Sequence, residues 1–364
     1  MIKFLDLNKI NQPYENAFQN KLRNVLDSGW YILGDEVKLF EKNFAAYCDA
    51  KHCIGVGNGF DALTLIYKAY IELGKMKKGD EVIVPANTYI ATILSIIQAD
   101  LVPVLVEPKL ETYTINPNLI AEKITNKTRS ILAVNLYGQL AELDLINEIA
   151  NQHNLIVVED SAQSHGAISN NRKSKNTQAF SFYPGKNLGA LGDAGAVITN
   201  DDQLAEVLLS LRNYGSQVKY YNDFIGVNSR IDELQAAFLN VKLPNLDSEN
   251  QFRKSIAKRY LLEINNDNIT LPFWDFSDNH VFHLFVIRTP KRKELQDYLK
   301  KNGIETLIHY PVAPHRQKAF DFSNNLRLPI TEKIHDEVLS LPMSPVMTDQ
   351  EIDFVIQKLN SWVL

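Results

Sequence analysis

The run FSFYPGKNLGALGDAGAVITN, Phe180 to Asn200, sets a single lysine, Lys186, behind two aromatic residues and among four glycines. An apolar strand candidate ends just before it, and small residues leave room beside it. A lysine so placed is partly desolvated, which favours the neutral amine and imine chemistry. Ser181, five positions earlier, supplies a hydroxyl suited to a phosphate. A second stretch, LIVVEDSAQSHGA, runs an apolar strand straight into Glu159, Asp160, Ser161 and Gln163. Ligands of open α/β sheets collect at such strand ends. One acid should face inward and the other away, and an inward carboxylate needs a cation or hydrogen bonds. His165 lies close, but no third convergent ligand accompanies it, so no metal site is expected. A third stretch, GVGNGFDALTL, puts Gly55, Gly57 and Gly59 between a strand and a helix. Its helix start offers N–H groups to an anion, with Gly59 and Phe60 at its mouth. The spacing is G-x-G-x-G, not that of a dinucleotide fingerprint, and a P-loop Gly-Lys-Ser/Thr is missing.

Each stretch has a plainer reading: a surface charge, a helix cap or salt bridge, a tight turn. Taken together they are the parts that pyridoxal phosphate requires. A lysine makes the imine, an acid keeps the pyridine nitrogen protonated, and a glycine-rich turn holds the phosphate.

The elements that must position them are legible as short apolar, β-branched runs: HCIGVG, EVIVPA, VPVLVEP, SILAVNLYG, LIVVEDS, AFSFYP and GAVITN. Several are continuous, as in strands buried on both faces. Between many of them lie helical patterns, such as DALTLIYKAYIELG with Leu63, Ile66, Tyr67 and Tyr70 on one face and Gly74 as its stop. In NDDQLAEVLLSLRNYG, Asn200 is the expected N-cap, with Leu204, Val207, Leu208 and Leu211 on one side. The N-terminal pattern ENAFQNKLRNVLD predicts a helix burying Phe18, Leu22, Val25 and Leu26. This alternation predicts an α/β fold with a mostly parallel sheet covered on both faces. After residue 245 the texture changes to a polar segment, a strand candidate VFHLFVIRT, a helix KRKELQDYLKKNG and the loop HYPVAPHR. The expected division is a large domain over residues 1–245 and a smaller α+β domain over 246–364.

The chain has 364 residues, 45% hydrophobic and 22% charged, with net charge −5. These values suit a globular protein with a sizeable core. No basic cluster points to nucleic acid. No signal peptide or membrane-length apolar run is evident, so a cytoplasmic location is expected. Cys48 and Cys53 read as reduced, half-buried thiols.

Several further blocks extend the pattern nearly end to end: SGWYILGDEVKLFE, NGFDAL, ANTYIAT, VVEDSAQSHGA, SFYPGKNLGALGDAGA, NSRIDELQAA and HYPVAPHR. With them the chain resembles the DegT/StrS family of pyridoxal-phosphate sugar-nucleotide aminotransferases, of fold type I. The resemblance implies a seven-stranded sheet and an imine link from Lys186 to the cofactor, with Lys186 later shuttling protons. It pairs Asp160 with the pyridinium nitrogen, sets Gln163 on the ring hydroxyl, stacks Tyr89 on the ring and gives Ser181 to the phosphate. Asn228 would reach the phosphate of a neighbouring subunit, implying a homodimer with shared sites. From the residues themselves, Ser229 is placed to cap the following helix, which carries Ile231, Leu234 and Phe238. Two departures stand out. Asn58-Gly59-Phe60 replaces the common Ser-Gly-Thr, so any phosphate contact at Phe60 must come from its backbone N–H. Gly192-Asp193-Ala194-Gly195 replaces Glu-Gly-Gly.

These variants are most similar to the branch acting on dTDP-3-keto-6-deoxyhexoses. The expected reaction is a ping-pong transamination. Glutamate gives its amino group, 2-oxoglutarate leaves, and the pyridoxamine phosphate form passes the amine to a nucleotide-linked ketosugar. Tyr183, Tyr221, His309, Tyr310 and His315 are the expected sugar and diphosphate contacts, since histidine and tyrosine offer hydrogen bonds without permanent charge. A 4-keto regiochemistry is the nearest competing reading. A coenzyme-dependent sugar dehydratase would carry histidine in place of Lys186, and a cofactor-binding regulator without turnover is more remote.

Overall fold

The seven apolar runs become seven strands of one sheet: β1 (His52–Val56), β2 (Glu81–Pro85), β3 (Val102–Val106), β4 (Thr128–Val134), β5 (Ile156–Asp160), β6 (Thr177–Ser181) and β7 (Gly195–Thr199). The computed structural model describes residues 1–170, 173–218, 220–320 and 325–363. The strand order is β1-β7-β6-β5-β4-β2-β3, and only β7 runs against its neighbours. Because β4, β5 and β6 are parallel, their carboxyl ends open on the same edge. That edge receives Asp160 and Ser181.

The helix Gly59–Glu72 covers the sheet with Leu63, Ile66, Tyr67 and Tyr70 all buried, and Gly74 takes a left-handed φ of 68° just past its end. Its N-cap is Asn58, whose side chain accepts from the Asp61 N–H at 2.8 Å. The helix Asp202–Leu211 buries the predicted stripe, but its cap is Asp201, not Asn200. The Asp201 carboxylate takes the N–H groups of Gln203 and Leu204, while Asn200 accepts from the Lys51 N–H across the β1 edge. The N-terminal helix Glu15–Ser28 buries Phe18 and Val25 and leaves Leu22 and Leu26 exposed. Phe18 meets Phe238 at 4.9 Å between ring centroids, and the contact with the helix Glu233–Lys242 is too narrow to cover the flanking leucines. Ser229 does not cap that helix. Asp232 stands at its N-cap position, and Ser229 instead donates to Asp61 at 2.6 Å and accepts from the Gly57 N–H at 3.0 Å.

Beyond residue 245, the polar segment forms one helix, Leu246–Glu263, because its few apolar residues still fall on one side: Ile256, Ala257 and Tyr260 are buried. They pack on a two-stranded antiparallel sheet of β8 (Phe285–Arg288) and β9 (Val338–Leu341), with the helices Arg292–Lys301 and Asp349–Asn360 completing the cluster. Ile2 joins this cluster and pairs with Ile304. Cys48 and Cys53 are unlinked and buried, and burial pushes the Cys48 thiol up to about 12. Among the described residues, no helix is long and apolar enough to cross a membrane.

Candidate active site

A cavity of about 1180 Å³ opens over the carboxyl ends of β4, β5 and β6 and extends to the N-terminal segment and the helix Arg292–Lys301. The turn after β6 brings Lys186 into it, and the end of β5 brings Asp160. Strand alternation separates the two acids as predicted. Asp160 faces the cavity, whereas Glu159 is buried on the other side, accepting from Asn135 at 2.9 Å, Asn176 at 2.9 Å and Gln178 at 3.2 Å.

Asp160 is buried, and among the described residues the one cation that acts on it, Lys186, does so through its charge. Its oxygens accept from Thr92 Oγ1 at 2.7 Å and from the Ala162 N–H at 3.2 Å. Burial raises its pKa above the ordinary carboxylate value; those two hydrogen bonds and the charge of Lys186 pull it back. Lys186 is half-buried, and desolvation lowers its amine to about 8, partly offset by Asp160. More of the amine is therefore neutral near pH 7 than in an exposed lysine.

Gln163 is held from both ends. Its Oε1 accepts from the Tyr137 N–H at 2.7 Å, and its amide nitrogen donates to the Tyr310 hydroxyl at 3.1 Å. One amide hydrogen remains for an acceptor in the cavity. Tyr89 precedes the helix Ile90–Gln98 and stays half exposed, its ring 5.2 Å from that of Tyr310. At the start of Gly59–Glu72, the N–H groups of Gly59 and Phe60 have no intrahelical carbonyl to bond. A Cβ on Gly59 would come 2.7 Å from the Cβ of Ser181, so only glycine lets the helix start approach β6 this closely.

Of the other expected contacts, Tyr183, His309 and Tyr310 line the cavity. His309 is fixed by Ser340, whose hydroxyl meets Nδ1 at 2.8 Å, and burial together with the charge of Lys186 lowers it to about 4. His315 is not brought there: it is fully buried and engages Glu332 at 3.0 Å. Tyr221 and Asn228 are exposed and lie outside this cavity. Asn228 pairs instead with Asn213. Phe4 and Leu5 also line the cavity, though no sequence pattern marks them. Phe4 stands 5.7 Å from the His309 ring, a contact across 305 positions that no local pattern announces. Thr88 and Thr92 are likewise unmarked, except that ANTYIAT spaces them four apart.

The profile of the DegT/DnrJ/EryC1/StrS aminotransferase family matches residues 13–360. The chain belongs to that family. It is 54% identical over 379 aligned residues to an Aneurinibacillus thermoaerophilus protein named dTDP-3-amino-3,6-dideoxy-alpha-D-galactopyranose transaminase, covering 100% of this chain and 99% of that one. It is 43% identical over 367 residues to a Streptomyces venezuelae dTDP-3-amino-3,4,6-trideoxy-alpha-D-glucose transaminase, covering 99% and 96%. The crystal structure of DesV from S. venezuelae, in complex with a ketimine intermediate, superposes with a TM-score of 0.95 at 43% identity, covering 99% and 98% of the two chains. The chain is thus an aminotransferase of fold type I that uses pyridoxal phosphate, and the DegT/StrS site chemistry can be tested on its residues. They fit the cofactor. A buried carboxylate without a direct ion pair suits a protonated ring nitrogen, a desolvated amine suits an aldehyde, and the glycine-lined helix start beside Ser181 suits a phosphate.

Proposed function

We propose that this DegT/StrS aminotransferase moves the amino group of glutamate to C3 of a dTDP-3-keto-6-deoxyhexose, giving a dTDP-3-amino-3,6-dideoxyhexose and 2-oxoglutarate. The observation that carries the regiochemistry is the full-length 54% identity to the Aneurinibacillus enzyme named for such a product. Pyridoxal phosphate, when bound, supplies an aldehyde that condenses with amines and a ring that takes up the electrons left when a Cα proton departs.

The chain's own residues then have distinct tasks. Lys186 would anchor the cofactor and, once freed, its neutral amine would take the Cα proton and pass it to the cofactor's aldehyde carbon, the reverse transfer serving the ketosugar. Asp160, which has no direct ion pair, would keep the ring nitrogen protonated by offering it an anion. Gln163 donates to the ring hydroxyl, and Tyr89 covers the ring face. Ser181 and the N–H groups of Gly59 and Phe60 bind the phosphate. Tyr183, His309 and Tyr310 face the sugar, with His309 presenting a neutral ring.

The site is completed by a second copy of the chain. Trp30, Tyr31, Val218, Tyr221 and Ile225 are more than half exposed, and Asn228, also exposed, pairs with Asn213 at the base of the loop carrying the last three. In a homodimer this surface would be covered, with Asn228 and Tyr221 reaching the partner's cofactor phosphate and substrate. A monomer in sedimentation at micromolar concentration would refute this. A division near Leu246 into a sheet-bearing large domain and a small domain fits the cluster that the helix Leu246–Glu263 builds with β8 and β9, which Ile2 joins, while Val134 and Tyr137 pack with Leu284 and Val286 across the boundary.

The deciding experiment supplies 3-keto and 4-keto dTDP-6-deoxyhexoses with glutamate and locates the new amine by NMR. An amine at C3 is expected. An amine at C4, or product from neither sugar, would overturn the reading. Lys186→Ala should lower turnover at least about 10²-fold and abolish the covalent link to the cofactor.

A further inference from the structure

The Asp160 carboxylate is held by a chain of hydroxyls from a different element. Thr88 Oγ1 lies 2.7 Å from Thr92 Oγ1, which lies 2.7 Å from Asp160 Oδ2. Both threonines are 1% exposed, so no bulk water competes for these groups. The direction of the chain follows from the inventory of donors. An ionised carboxylate only accepts, so Thr92 must spend its one hydrogen on Asp160. The Thr92 oxygen is then left as an acceptor, and Thr88 must donate to it. The Ala162 N–H takes the other carboxylate oxygen at 3.2 Å. Two of the roughly four lone-pair positions are thereby used, and the rest remain for a donor in the cavity.

We propose that Thr92, backed by Thr88, is a positioning residue that orients the Asp160 carboxylate and stabilises its negative charge, so that it holds a protonated heteroaromatic nitrogen. The proposal rests on the reading of Asp160 as the partner of the cofactor's ring nitrogen. A hydroxyl suits the task better than an ammonium group. It stabilises the anion without neutralising it, leaving the charge available to the ring. A branched threonine in the first turn of Ile90–Gln98 also has fewer rotamers than serine, which fixes the direction of the donated hydrogen. The direction is reinforced from behind, since a hydroxyl that accepts a hydrogen bond donates a stronger one.

The test uses the holoprotein reconstituted with pyridoxal phosphate carrying 15N in the ring, with the nitrogen shift followed against pH. The titratable groups that sense the Asp160 charge, Lys186, Tyr67 and Tyr310, are retained in every variant. Thr92→Val removes the hydroxyl and keeps the shape. It should move the loss of the ring proton down by about one pH unit, a tenfold change, and weaken cofactor binding about tenfold. Thr92→Ser should restore most of both, and Thr88→Val should shift the titration the same way by less. Thr88→Val also reads the relay should the Thr92→Val protein fail to fold. Asp160→Asn separates the two ideas. If it loses the ring proton while the threonine variants titrate with the parent, the hydroxyl relay is refuted and the Asp160 reading stands. If Asp160→Asn keeps the ring proton as the parent does, the Asp160 reading falls and the relay with it.

Discussion

At the scale of single residues, the site depends on what is withheld as much as on what is placed. Asp160 is denied a direct ion pair, Lys186 is denied full hydration, and residue 59 is denied a side chain. The last is the simplest to probe. In Gly59→Ala, the added Cβ would stand 2.7 Å from Ser181 Cβ and 3.2 Å from its Cα, so the helix start or the end of β6 must move. Both carry the proposed phosphate donors. Displacements of this size cost roughly tenfold to a hundredfold where geometry matters, and titration of the apoprotein with pyridoxal phosphate should show weakening in that range. Unchanged affinity would remove Gly59 from the proposed cradle. The lysine, the strand-end acid and the glycines were legible in the sequence because each is an unusual residue type in its local setting. Thr88 and Thr92 were not, since a threonine in a turn has many ordinary uses and only the fold brings β5 beside them.

At the scale of elements, the N-terminal segment proves to be a wall of the cavity. Ile2 exchanges backbone hydrogen bonds with Gly303 and Glu305, at 2.8 and 3.0 Å, and the Phe4 N–H donates to the Glu305 carboxylate at 3.2 Å. This holds Phe4 against the ring of His309, whose other side is fixed by Ser340. An aromatic contact of this kind contributes about 1 kcal/mol, so Phe4→Ala should raise KM for the ketosugar about fivefold. The half-reaction with glutamate, followed by the cofactor's absorbance, should keep its rate. Equal losses in both half-reactions would mean that Phe4 supports the whole cavity and not its sugar end. The seven strands were readable as elements because continuous β-branched runs bounded by turn residues have few other uses. The helix Leu246–Glu263 was not, because its apolar positions are sparse and its burial depends on β8 and β9, which lie far away in the chain.

At the scale of the whole molecule, desolvation holds five of the eight histidines below their ordinary value. Burial lowers His165 and His280 to about 3 and His309 and His335 to about 4, and places His283 well below its ordinary value. Their unfolded value is about 6.5, so near pH 5.5 these rings bind more protons in the unfolded chain than in the folded one. Stability therefore rises with pH in this window and is lost as pH falls from about 6.5 towards 4. Calorimetry at fixed protein concentration should show a falling Tm below pH 6.5, with buffer-dependent heats reporting proton uptake on unfolding. A Tm flat between pH 7 and 5 would contradict the buried neutral state of these rings. None of this was visible in a count of histidines. The sequence by itself determined the fold class, the strands and the identity of the lysine and acid, because these follow from local composition and short spacings. Only the tertiary structure decided that Phe4 meets His309, that Thr92 reaches Asp160 and that His315 turns away to Glu332. Each is a contact between distant segments, set by how the sheet and its covering helices close on one another.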